Sequence, residues 1–243
     1  VKNTVLLLCS GYFLGYFLMA VTGMPGVLMA AFLLVGFAKG GALNNCTILV
    51  KDNSADRTRS MNTLHACYAS GALLCPFLAA SLLGINDTLP MVGVAVTGLL
   101  LWVIFLTAGL PGVVKEKNGE RGKISFAFLK DPKFWLITGL LFCQNAAETS
   151  VTGWLVTYYK DRGILSGSFA AYTVTVMWGA TLIARLLIAF VFPVHHIFRA
   201  LAWMGGCCSV LYCGLVYMQH PVGAIAMLFA FAFAMAGVNP IAV

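Results

Sequence analysis

Residues Met91–Leu110 read MVGVAVTGLLLWVIFLTAGL, twenty residues without one charged side chain. At 1.5 Å rise per residue, a helix of that length is about 30 Å long, the thickness of a bilayer's hydrocarbon core. In lipid every backbone N–H and C=O must be paired within its own segment, and this run is too long and too weakly alternating for a barrel strand. It reads as a transmembrane helix. The pattern recurs on both sides of it, in Thr4–Gly23, Val27–Val50, Met61–Leu83, Phe134–Tyr158, Phe169–Phe192, Phe198–Met218 and Val222–Val243, with charges or Pro and Gly between the runs. The expected fold is all-α, a polytopic membrane helical bundle with eight transmembrane helices in this chain. Composition agrees: 60% of the 243 residues are hydrophobic and 9% charged, where a soluble domain carries about 25% charged residues.

A single long polar connection organises the spans. It predicts an N-terminal half, 1–110, with four spans, a basic linker, 111–133, and a C-terminal half, 134–243, with four more. Lys51, Arg57 and Arg59 lie in one loop, six basic residues between Lys115 and Lys133 in another, and Arg199 with His195 and His196 in a third. The alternate loops are nearly bare of Lys and Arg, apart from Lys160 and Arg162. By the positive-inside rule the basic loops, 51–60, 111–133 and 193–199, are cytoplasmic, and the protein is a multi-pass protein of the cell (inner) membrane. Topology thus accounts for most of the formal charge of +7, and no nucleic-acid partner is expected.

The eight cysteines all lie in apolar runs without metal-ligand spacing, so they read as small packing residues. The first run has neither a basic n-region nor a cleavage pattern, so no signal peptide is expected. Asn86-Asp87-Thr88 matches a glycosylation sequon, a pattern that arises often by chance in a loop this short.

Three segments carry a family resemblance. Arg59-Ser-Met-Asn62-Thr-Leu-His65-Ala-Cys-Tyr68-Ala-Ser-Gly71-Ala-Leu-Leu-Cys-Pro76 resembles the start of the fifth helix in the sugar-transporting branch of the major facilitator superfamily, the branch that includes L-fucose permease. Asn145-Ala-Ala-Glu148-Thr-Ser-Val-Thr-Gly-Trp154-Leu-Val-Thr-Tyr158 is similar to that branch's seventh helix, and Gly179-Ala-Thr-Leu-Ile-Ala-Arg185 to the end of its eighth. On this alignment the chain, which starts at Val1 without Met and ends within an apolar run, is a fragment holding helices three to ten of twelve. The resemblance implies two pseudo-symmetric halves and secondary active transport of a small polar solute, a sugar or similar compound, by alternating access with ion (proton) coupling. It also implies no enzymatic activity and no cofactor, a lipid bilayer and a small-molecule solute as partners, and a monomer.

The chain departs from the pattern in three places. His65 and Tyr68 stand where the branch has polar amides, and Gly40 and Gly41 where it has an acid in the fourth helix. Ala184-Arg185 replaces a Gly-Arg pair, and the loop after it lacks the acidic and paired basic residues of the superfamily's cytoplasmic signature.

Three ionisable residues fall within the spans: Lys39, Glu148 and Arg185. A charge at mid-membrane costs about 2.5 to 3.5 kcal/mol on insertion scales, so each is a functional candidate or is paired. Lys39 stands twelve residues from Val27, roughly 18 Å deep, and Glu148 ten residues before Tyr158, roughly 15 Å from the same face. The expectation is that both face one cavity. Gln144, Glu148 and Thr152 repeat at i, i+4 and i+8 with Asn145 and Thr149 beside them, giving one span a polar face that suits solute binding or interhelix hydrogen bonding. Substrate-binding candidates are Lys39, Gln144, Asn145, Glu148, Thr152 and Asn239, the last in a Gly237-Val-Asn-Pro240 helix break. Proton-coupling candidates are Glu148 and His65; for the histidine the alternative is hydrogen-bonded structure.

Arg185, within snorkelling reach of the cytoplasmic interface, is read as structural, with Asn62, Gly71, Gly36 and Gly40 as structural or gating positions. Gly36 and Gly40, like Gly11 and Gly15, form small-xxx-small pairs that permit close helix approach. Trp154 and Tyr158 suit sugar stacking or interfacial anchoring. Lys39 keeps an organic anion open as the cargo. A membrane-embedded transferase is disfavoured, since the loop acids Asp52, Asp56 and Asp131 have no metal or nucleotide spacing, and a non-transporting receptor or scaffold is the remaining class.

Overall fold

The computed structural model describes residues 2–107, 126–192, 194 and 196–242. Residues 111–125 of the expected basic linker, and Pro193 and His195 of the third basic loop, lie outside them. Among the described residues the chain forms α1 (Lys2–Val21), α2 (Pro25–Asp52), α3 (Arg57–Leu83), α4 (Leu89–Thr107), a 3₁₀ turn (Ala127–Lys130), α5 (Pro132–Asp161), α6 (Gly167–Phe190), α7 (Ile197–Tyr217), α8 (Pro221–Met235) and α9 (Val238–Ala242), with no strand. The all-helical membrane fold is therefore the one observed. Large apolar side chains lie open on the helix surfaces, Phe37 at 75% and Phe198 at 77% exposure among them. In water such surfaces would aggregate; in a bilayer they are the solvent-compatible face.

Among the described residues seven helical segments are long and apolar enough to cross a membrane, α8 and α9 counting as one, Pro221–Ala242. The eighth expected span is α5. At 30 residues it is the longest helix, yet Gln144, Asn145 and Glu148 hold its hydropathy below that of its neighbours. It is not among the seven, and its polarity is that of a helix that does not face lipid all round.

Local chemistry sets the ends. Asp56 accepts from the Arg59 N–H at 3.0 Å and Asp131 from the Lys133 N–H at 2.9 Å, so two of the loop acids are helix N-caps. Pro occupies the first turn of α2, α5 and α8, where a missing N–H costs nothing. Helix α5 ends at Gly163, whose φ of +65° is the left-handed conformation glycine adopts without strain. There the Ile164 N–H reaches Tyr159 O at 2.9 Å and the Gly163 N–H reaches Lys160 O at 3.1 Å, the paired bonds of a Schellman end.

The helices group into two compact units. The first comprises Val1–Asn53 and Leu74–Glu120. Within it α1 packs against both α2 and α4. Trp102 donates to Leu6 O at 3.1 Å and meets Phe13 edge-on at 6.0 Å. A Cβ on Gly11 would stand 2.9 Å from that of Ala38, and one on Gly41 would run into Leu8, so glycine sets the α1–α2 spacing. Gly36 and Gly40 do otherwise: a Cβ on either meets nothing within 4 Å. Both residues are exposed, on a different face of α2 from the buried Ala38 that meets Gly11, which is why the small-residue pattern there brings no close packing.

The second unit comprises Ser54–Leu73 and Arg121–Val243, so the boundary cuts α3. The cut falls close to Pro76, which has no N–H to offer Ala72 O. The unit's main core gathers Leu155 and Tyr159 of α5, Met177 of α6, Leu215 of α7 and Leu228 and Phe231 of α8. Of the cysteines, all free, Cys9, Cys46 and Cys208 are half-buried and the other five are exposed, so packing explains only three.

Candidate functional site

The polar face of α5 lies in the second unit and divides on closer view. Gln144 is buried, Glu148 and Thr152 half-buried, Asn145 and Thr149 exposed. One turn apart, Gln144 and Glu148 are joined: Gln144 Nε2 donates to Glu148 Oε2 at 2.9 Å. Thr152 returns its hydroxyl to Glu148 O at 2.9 Å, Asn145 donates to Leu141 O at 2.8 Å and Thr149 to Asn145 O at 2.7 Å. These last three bonds satisfy side chains along their own helix, which is how polar residues are carried into an apolar medium.

The amide of Gln144 has a defined orientation. A carboxylate accepts and cannot donate, so the NH₂ must face Glu148 and the carbonyl oxygen must point away. That Oε1 is buried and has no hydrogen-bond partner. Such an atom costs about 1 to 3 kcal/mol when left dry. Gln144 borders a cavity of about 610 Å³ whose other walls include Ser150 of α5, Cys208 and Tyr212 of α7 and Phe231 of α8. Glu148, Asn145 and Thr152 do not border it. Asn145 and Thr149 instead line a second hollow of about 570 Å³ beside Trp154.

Arg185 comes in from α6. Only 3% exposed, it does not reach for the interface; Nη1 donates to His65 O of α3 at 2.8 Å and Nε to Ala236 O at 3.2 Å. Its charge also interacts with that of Glu148. His65 is itself buried, and so is Asn62, which donates to Thr58 O at 2.9 Å while its Oδ1 has no partner. A Cβ on Gly71 meets nothing within 4 Å. Asn239 is half-buried beside the break between α8 and α9, and Lys39 is exposed on α2 of the first unit.

Several contributors carry no charge and stood out less in the sequence. Ser150 and Tyr212 share a hydrogen bond at 2.9 Å, linking α5 to α7. Tyr158 and Tyr159 donate to Val216 O and Leu215 O at the same pair of helices, and Arg162 stands over the Tyr158 ring at 5.5 Å. Thr181 is buried one turn before Arg185 with its hydroxyl unpartnered. Its i, i+4 spacing to the arginine is the signal that could have marked it. Tyr68 meets Trp178 edge-on at 5.8 Å, and Arg59 lies 4.8 Å over the Phe190 ring, so α3 touches α6 at three levels.

No curated protein and no solved structure matches this chain. The family model described as the Major Facilitator Superfamily matches residues 1–243. Helices long and apolar enough to cross a membrane, together with the polar α5 and a buried arginine bonding to backbone carbonyls, accord with that match, and the chain belongs to the Major Facilitator Superfamily, whose members are secondary transporters of small solutes rather than enzymes.

Proposed function

We propose that this chain carries a neutral, hydroxyl-rich solute of sugar type across the inner membrane by alternating access, coupled to protons through Glu148. The observation that carries the reading is the Gln144–Glu148 pair. With one N–H of Nε2 given to Glu148, the unanswered polar atom of the amide is its buried acceptor Oε1, and the carboxylate beside it offers acceptors too. A polyol supplies the donors that these oxygens need; a carboxylate solute supplies none. Asn145, Thr152 and Asn239 are the further solute-binding candidates of the second unit. The resemblance of Asn145–Tyr158 to the seventh helix of the sugar-transporting branch supports the same cargo.

An organic anion is the second reading, and Lys39 favours it, since a lysine within a span suits a carboxylate. Competition separates the two. In proteoliposomes with an inward pH gradient, unlabelled L-fucose, D-glucose, lactate and succinate are each set against labelled L-fucose. Inhibition by the hexoses alone supports the polyol; uptake of labelled succinate without labelled L-fucose uptake overturns it.

The orientation rests on charge. Loops 51–60, 111–133 and 193–199 face the cytoplasm on this proposal, supported by the basic residues they hold.

A further inference from the structure

A proline in a helix removes one hydrogen bond at a known place. Residue 240 of a continuous helix would donate its N–H to Ala236 O, and Pro240 has none to give. The chain registers the loss: α8 stops at Met235 and α9 starts at Val238. Ala236 itself keeps helical angles, φ −55° and ψ −35°, so its carbonyl still points toward the missing donor. The residue is 1% exposed, and no water of the bulk reaches it. Arg185 Nε stands 3.2 Å from that oxygen.

The rest of the side chain is tied just as closely. Nη1 donates to His65 O at 2.8 Å, the residue is 3% exposed, and Glu148 supplies an opposite charge. The break is also held from the side. A Cβ on Gly237 would stand 2.7 Å from Ile188 Cδ1 and 2.8 Å from Met204 Cε, so the backbone at the break lies close to α6 and α7, and a larger residue there would have to displace the tips of those two side chains.

We infer that Arg185 is a positioning residue: its guanidinium replaces the hydrogen bond that Pro240 deletes at Ala236, fixes the α8–α9 break in place, and tethers that break to α3 through His65 O. Two divergent N–H groups on a rigid plane suit this task, and the single ammonium of lysine does not. Asn239 lies within the segment so fixed, and the arginine therefore determines where that side chain stands. This goes beyond any choice of solute, because it concerns the helix break and not the cargo.

The test is a mutant cycle read by hydrogen exchange on the reconstituted protein, following the peptide that spans 229–242, with an α1 peptide as the reference. Arg185→Met leaves Ala236 O without its donor, and amide exchange across the break rises tenfold or more while α1 is unchanged. Pro240→Ala restores a backbone N–H at the right position. Exchange in the double variant therefore returns to within about twofold of the wild type at the break. Arg185→Lys keeps the charge yet behaves like Arg185→Met. If Arg185 serves only as a counter-charge for Glu148, Arg185→Lys is wild-type and Pro240→Ala rescues nothing; either result overturns the inference. Should Arg185→Met fail to accumulate, accumulation of the Pro240→Ala double variant supports the proposal and its continued absence refutes it.

Discussion

The amide of Gln144 is fixed by one neighbour. Its NH₂ faces a carboxylate, its carbonyl oxygen is buried, and no protein donor answers it. Gln144→Leu removes the donor on Glu148 and the free acceptor together. A hydrogen bond to a charged group is worth about 1.5 to 3 kcal/mol, so the expected result is a tenfold or greater fall in uptake efficiency for the transported solute, seen in KM before kcat. Gln144→Glu puts two carboxylates one turn apart, and uptake should fall further at high pH and recover partly as the pH is lowered. Much of this was readable in advance: Gln144, Glu148 and Thr152 fall on one stripe by helical spacing alone. The buried environment of Arg185 was not. Sequence depth set it close to the interface, but depth along a span says nothing about which way a side chain turns. The orphaned carbonyl of Ala236, a backbone atom, offered it a better partner than lipid headgroups.

Helix ends repeat the lesson at the next scale. Gly163 holds φ +65° at the end of α5, with Ile164 and Tyr159, both buried in one core, joined across the turn by a backbone hydrogen bond. Gly163→Ala forces a Cβ into the left-handed region at a cost of about 1 to 2 kcal/mol, and the thermal midpoint of the purified protein should drop accordingly. Space is no obstacle, since a Cβ there meets nothing within 4 Å, so a loss of stability measures backbone strain alone. Glycine pairs were a weaker guide. Gly11 of α1 and Gly41 of α2 do bring the two helices close, whereas Gly36 and Gly40 meet open space. A small-xxx-small spacing establishes that a flat face exists and leaves its neighbour unspecified. Substitution tells them apart: Gly11→Leu should lower the thermal midpoint sharply, and Gly36→Leu should leave it nearly unchanged.

For the molecule as a whole, hydropathy and loop charge made the membrane fold legible, because both respond to the bilayer, which acts on each span separately. Packing partners depend on the sequence of two helices at once, and there the reading was thinner. Four spans on each side of one linker is the expectation that chain order gives, whereas residues 57–73 of α3 pack in the second unit, through Arg59, Tyr68 and the carbonyl of His65. No hydropathy profile carries that. Orientation can be read directly: in a cysteine-free background, Asn53→Cys should react with an impermeant maleimide only in inside-out vesicles, and Asp87→Cys only in right-side-out ones. The reverse pattern would invert the proposed topology. The central claim, proton-coupled movement of a polyol past Glu148, is met most directly by labelled L-fucose uptake into proteoliposomes with and without an inward pH gradient, for the wild type and Glu148→Gln. Gradient-driven accumulation is expected in the wild type, and in Glu148→Gln exchange of L-fucose without accumulation; accumulation at the wild-type level in Glu148→Gln would rule out coupling through this carboxylate.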